Sequence, residues 1–174
     1  MSKIDYNLNQ IKAVVFDIDG VLSPTCVPMN DNGMPQRMAN LRDGYAIQLA
    51  VRKGIKIAII TGAQDPAIKR RFNALGVTDI YMTMGQKSEI LRYWMSRNGL
   101  RPQEVAYVGD DIPDYECMSI VGLPVAPRDA AHEIKSIAHY ITLAEGGRGV
   151  GRELLEQVLR AQDNWPIKSA ANGL

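Results

Sequence analysis

Cysteine is scarce in this chain of 174 residues, which has only Cys26 and Cys117. Two cysteines this far apart make neither a disulfide framework nor a metal-ligand spacing. Both read as small hydrophobes. Aromatic residues are 6% of the chain, too few to supply stacking platforms for nucleic-acid bases. Neither sign of charge dominates. Lys plus Arg number 20 against 19 Asp plus Glu, a formal net charge of +1, which excludes binding by broad phosphate neutralisation. Long apolar runs are missing too, and none approaches the roughly 20 residues of a membrane helix. Met1 to Lys12 has no apolar stretch of the signal-peptide kind. These absences predict a soluble, cytoplasmic protein with no nucleic-acid or membrane partner.

What is present is an ordinary globular mix, 46% hydrophobic and 22% charged. The length suits one domain over 1–174. Short apolar runs at 13–16, 55–60, 80–82, 105–108 and 123–125 alternate with segments of helical period. Unbroken runs of this kind suit strands of a parallel sheet buried on both faces. Helix punctuation lies between them. Asp65-Pro66 reads as an N-cap followed by proline, and Gly76 as the stop. Ile90 and Trp94, then Leu91 and Met95, repeat at i,i+4. Val150, Leu154 and Val158 share a stripe with Leu155 and Leu159. The pattern predicts an α/β fold, a doubly wound, Rossmann-like parallel sheet with helices on both faces. One segment breaks the alternation. Residues 24–40 contain Pro28, Pro35 and the turn pair Asn32-Gly33, and read as a β-hairpin flap after the first strand. A tail over about 163–174 reads as frayed.

Four strand ends carry polar groups. Ligands of open α/β sheets bind beyond the carboxyl ends of the strands. The first run enters Asp17-Ile18-Asp19-Gly20. The second ends in Thr61-Gly62, a hydroxyl and an N–H able to hold a phosphoryl oxygen. Lys87 opens a helix after Gly85-Gln86. The fourth run ends in Gly109-Asp110-Asp111-Ile112-Pro113-Asp114. Three acids in five residues repel one another unless a cation sits among them, and hard oxygen ligands suit Mg²⁺. A phosphate monoester needs a nucleophile, an acid for the leaving oxygen and compensation of negative charge, and this set offers all three. His132 and His139 lie outside it and read as surface or packing residues. Lys69-Arg70-Arg71 reads as a solvated helix face.

In combination, the motifs resemble the haloacid dehalogenase-like phosphatase superfamily over Asp17 to Asp114. The resemblance implies Asp17 as nucleophile and Asp19 as general acid and base. It implies Thr61 and Lys87 on the transferring oxygens, and Mg²⁺ on Asp17, the Asp19 carbonyl and Asp110. Asp111 and Asp114 would orient the metal waters and Lys87. The stretch from Asp19 to Thr61 has room for the flap and one helix, and that from Thr61 to Lys87 for one helix and one strand, so no cap domain fits. With Arg42-Asp43-Gly44 and the glycine-rich 145–153, the capless chain resembles the family of 3-deoxy-D-manno-octulosonate 8-phosphate phosphatases and their nonulosonate 9-phosphate relatives. That family implies a sugar-acid phosphate as substrate, a role in lipopolysaccharide biosynthesis, and a homotetramer whose neighbouring subunits complete each site. Arg42, Asp43, Gly44, Gly62 and Arg148 are the implied substrate contacts, and Gly146 to Gly151 can reach into an adjacent site. Ala63-Gln64 departs from both groups, since octulosonate members carry arginine after T-G and nonulosonate members glutamate. A different class remains open, that of a non-catalytic phosphoacceptor or scaffold. Signalling receiver domains carry their phosphoacceptor on the third strand, where this chain has Met82-Thr83-Met84.

Overall fold

The structure, a computed structural model, describes residues 4–167. Twelve elements follow in order: β1 (Ala13–Phe16), α1 (Leu41–Arg52), β2 (Lys56–Thr61), α2 (Pro66–Ala74), β3 (Asp79–Met82), α3 (Lys87–Arg97), β4 (Val105–Val108), α4 (Tyr115–Ile120), β5 (Leu123–Ala126), α5 (His132–Ile137), β6 (Tyr140–Ile141) and α6 (Val150–Ala161). One short 3₁₀ turn precedes β1, and two more flank β4. The six strands form one parallel sheet in the order β3-β2-β1-β4-β5-β6. The order reverses between β1 and β4, where such a sheet opens a crevice at its carboxyl edge. A flavodoxin-like receiver sheet has a different strand order.

Strand period 2 divides the core. Val14 and Phe16 of β1 join the face covered by α1, α2 and α6. Ala13 and Val15 join the face covered by α3, α4 and α5. All four residues of β1 and of β4 are buried, which is why those runs read as continuously apolar. β3 is only half-buried because it is an edge strand. The α6 stripe predicted from Val150, Leu154, Leu155, Val158 and Leu159 is buried throughout.

The flap after β1 is a hairpin-shaped loop closed by a single antiparallel bridge, Met29 with Pro35. Its ladder is short because Pro28 and Pro35 lack N–H groups. The N–H groups of Asn30 and Gln36 donate to Met34 and Pro28. Cys117 is buried as expected, whereas Cys26 is exposed on the flap, so it is no packed hydrophobe. Of the segment read as a tail, Trp165 is buried between Arg152, Arg160 and Tyr45, and residues 168–174 lie outside those described. No helix among the described residues is long and apolar enough to cross a membrane.

Candidate active site

The residues following β1 and β4 meet at the crevice. Asp17 leaves β1 with its N–H on the Val108 carbonyl of β4, 3.1 Å away. Its Oδ1 accepts the N–H of Ile18 at 2.7 Å. Lys87, the first residue of α3, reaches Asp17 Oδ2 at 3.0 Å and Asp114 Oδ1 at 2.8 Å. It enters from Gln86, whose φ of 59° is left-handed. Non-glycine residues rarely adopt that conformation away from functional loops. Asp114 accepts twice more, from Tyr107 Oη at 2.8 Å and from the N–H of Asp110 at 3.1 Å. Thr61 is buried at the end of β2, and its hydroxyl oxygen accepts the N–H of Ala63 at 3.1 Å. Asp17, Thr61, Gly62, Lys87, Asp110, Asp111 and Asp114 all line one cleft of about 380 Å³.

Oxygens of Asp17, Asp110 and Asp114 lie within 4.8 Å of one another. One ammonium cannot balance three buried acids. Burial, then the nearness of Asp114, pushes the Asp17 carboxyl up to about 7 despite Lys87. Burial, then Asp114 and Asp17, pushes Asp110 up to about 8. Burial works against the charge of Lys87, but Asp17 and Asp114 outweigh it and raise its pKa above the ordinary value. Gly20 makes room for this cluster, since a Cβ there would overlap the carboxylate of Asp110. The donor set is all hard oxygen with unbalanced negative charge, which fits Mg²⁺.

The site has relatives. The haloacid dehalogenase-like hydrolase model matches residues 78–154. The 3-deoxy-D-manno-octulosonate 8-phosphate phosphatase of Yersinia pestis is 38% identical over 155 residues, 88% of this chain and 82% of the relative. This chain belongs to that phosphatase family. The crystal structure of the Yersinia pestis phosphatase superposes with a TM-score of 0.86 at 36% identity, covering 91% of this chain and 85% of that one. The Moraxella catarrhalis phosphatase, solved with magnesium, phosphate and the sugar acid KDO, superposes at 0.85 with 30% identity, covering 91% of each chain.

Not every residue expected on the family pattern reaches the cleft. Arg42 is exposed in the first turn of α1 and Arg148 is exposed before α6. Neither lines the cleft of its own chain. Asp43 is buried, and its Oδ1 accepts the N–H of Arg152 at 2.7 Å, tying α1 to the start of α6. Burial pushes it up to about 6. With Gly44 it lines a neighbouring cavity of about 200 Å³. The glycine-rich segment packs on its own chain. A Cβ on Gly146 would collide with the Gly20 carbonyl, and the N–H of Gly147 donates to Val21 at 2.8 Å. The segment therefore buttresses the loop that carries Asp17 and Asp19. Arg71 departs from the solvated face expected of Lys69-Arg70-Arg71. It is half-buried, with its guanidinium against Gly44, while Lys69 and Arg70 are solvated. His132 and His139 are exposed, as expected.

Two residues of the site carried no signal in the sequence. Tyr107 is fully buried in β4 and reads there as an ordinary strand aromatic. Arg37, on the flap, grips Asp19 with both forks, Nε to Oδ1 and Nη2 to Oδ2, each at 2.8 Å. An arginine two residues after Pro35 has no period to mark it.

Proposed function

We propose that this chain is an Mg²⁺-dependent phosphomonoester hydrolase acting on 3-deoxy-D-manno-octulosonate 8-phosphate. The carrying observation is the buried Asp17, held at the sheet's switch point against Lys87 and beside Asp110. In this reading an Asp17 oxygen attacks phosphorus and the bond from phosphorus to the sugar oxygen breaks. Asp19 gives its proton to that leaving oxygen. Asp19 then takes a proton from water as the water attacks the aspartyl-phosphate, and phosphate departs from Asp17. Thr61, Gly62 and Lys87 hold the transferring oxygens. Asp17, the Asp19 carbonyl and Asp110 would hold Mg²⁺, which supplies positive charge against the repulsion between carboxylate and phosphate. Asp114 fixes Lys87, and Asp111, exposed at the cleft rim, would orient waters on the metal.

The family relationship and the match to the octulosonate-bound Moraxella structure support the choice of substrate. We place the enzyme in the cytoplasm, in lipopolysaccharide biosynthesis, as a homotetramer. Exposed Met29, Met34 and Met38 on the flap and Met84 and Ile112 beside the cleft give that assembly an apolar surface to cover. Arg42 and Arg148 then serve a neighbouring subunit's site. Phosphate release from a panel with Mg²⁺ tests the reading. The octulosonate 8-phosphate should outrun a nonulosonate 9-phosphate and neutral hexose phosphates. Asp17→Asn should lose at least about 1,000-fold in kcat with its fold intact. Near-normal turnover by that variant, or activity surviving thorough chelation, overturns the mechanism.

A further inference from the structure

Arg37 belongs to the flap, yet it is more enclosed than the acid it holds. Its side chain is 12% exposed and that of Asp19 is 47% exposed. The two cations among the described residues lining the cleft are Arg37 and Lys87. Lys87 is committed to Asp17 and Asp114. Arg37 is not fully committed. Its Nη1 is buried without a hydrogen-bond partner. Asp65 Oδ2 lies 3.6 Å from that nitrogen, an ion pair at a distance just beyond a hydrogen bond, so its charge is faced but its N–H is not accepted. Buried donors in folded proteins find acceptors, and one left over beside a cleft points to an acceptor supplied from outside.

We propose that Arg37 is the specificity-determining residue of this site, leaving Asp19 to bind a carboxylate on the part of the substrate beyond the phosphate. The proposal rests on the phosphatase reading and names the group that selects its substrate. The argument is one of exchange. While Arg37 holds Asp19, both oxygens of that carboxylate are acceptors, and the pair presents no O–H to a leaving oxygen. A substrate carboxylate offers the guanidinium a second bidentate partner of the same kind. Arg37 then trades one carboxylate for another at little net cost, and Asp19 is free to face the ester oxygen. A neutral sugar phosphate offers nothing in exchange, so Arg37 stays on Asp19. This stretch of flap is tied to the body of its own chain by few bonds, among them that from the N–H of Met38 to Ser23 Oγ, 3.0 Å, and that from Asn40 Nδ2 to the Gly147 carbonyl, 3.2 Å.

The test compares wild type, Arg37→Gln and Arg37→Lys on the octulosonate 8-phosphate and on a neutral hexose phosphate. A parallel titration measures binding of the free octulosonate by calorimetry. Arg37→Gln should lose about 10-fold or more in kcat/KM on the sugar acid and gain on the neutral ester, because Asp19 is no longer held, so that the preference for the sugar acid falls by more than about 10-fold. It should also lose the binding of free octulosonate. Arg37→Lys, which keeps the charge without the fork, should fall between, and it carries the comparison if the glutamine variant does not fold. Equal losses on both esters, or unchanged octulosonate binding, overturn the proposal. A wild type that hydrolyses neither ester rejects the phosphatase reading itself, and this proposal with it.

Discussion

In the crevice between β1 and β4, the one side chain of Asp114 accepts three hydrogen bonds, from Lys87, from Tyr107 and from the N–H of Asp110. The flap a few ångströms away closes on one antiparallel bridge and leaves Met29, Met34 and Met38 exposed. The crevice is built on strand ends buried on both faces, and the flap on a proline-broken loop. Groups that act on phosphorus must be preorganised, because reorganising them during reaction raises the barrier. Groups that choose the sugar can sit on a loop that rearranges. Arg37 joins the two regions, reaching from the loosely held flap into the tightly held site.

Loosening the crevice should produce the largest change. Asp114→Asn keeps the shape but weakens the grip on Lys87 and removes a charge from beside Asp17 and Asp110. Losing such a supporting carboxylate should lower kcat about 10- to 100-fold with little change in KM. A loss confined to KM would mean that Asp114 acts through substrate binding and not through Lys87.

That rigidity stores repulsion, and pH should reveal it. Asp17 and Asp110 titrate near 7 and 8 in the folded chain and Asp43 near 6, against about 4 when unfolded. Each folded pKa is raised, so between these values the folded state holds more protons than the unfolded one. The stabilisation is complete below about pH 4 and is lost as pH rises to 8. Glu104 acts in the opposite sense, held down to about 2 by Arg101 and Lys12, but its effect falls below pH 5. The melting temperature without metal should therefore drop from pH 5 to pH 8, on the order of 5 °C. Mg²⁺ should flatten the slope by balancing the acids. A metal-free melting temperature that is flat or rises over this range would mean that the acids are not under strain.

The same contrast governed what the sequence could reveal. Asp17, Asp19, Thr61, Lys87 and Asp110 were legible because each follows an apolar run, and parallel-sheet geometry carries every run's end to one edge. The helices α4 and α5, six residues each, and the two-residue β6 are too short to show a period. Arg37 and Arg42 stand five positions apart in the sequence, but the turn into α1 sends one to Asp19 and leaves the other in solvent. No local pattern encodes that choice, since it depends on where the flap's prolines leave the chain. Arg71 likewise differs from Lys69 and Arg70 only by the side of α2 it occupies.

The smallest expected effect concerns Arg42, which separates a lone subunit from an assembly. Arg42 is exposed and lines neither the cleft nor the cavity beside it, so Arg42→Ala should leave stability within about 0.5 kcal/mol. If it serves a neighbour's cleft, the variant loses sugar-acid turnover while its own crevice stays whole. Mixing then discriminates. Asp17→Asn subunits have a dead crevice but an intact Arg42, and Arg42→Ala subunits have the reverse. Refolded together in equal amounts, they form assemblies in which about half of the live crevices sit beside a subunit carrying Arg42. Activity per live crevice should rise to about half that of wild type, above either variant alone. Without that rise, Arg42 acts within its own subunit or not at all. The flap's Arg37 would then be the substrate-selecting arginine of a site that needs no neighbour.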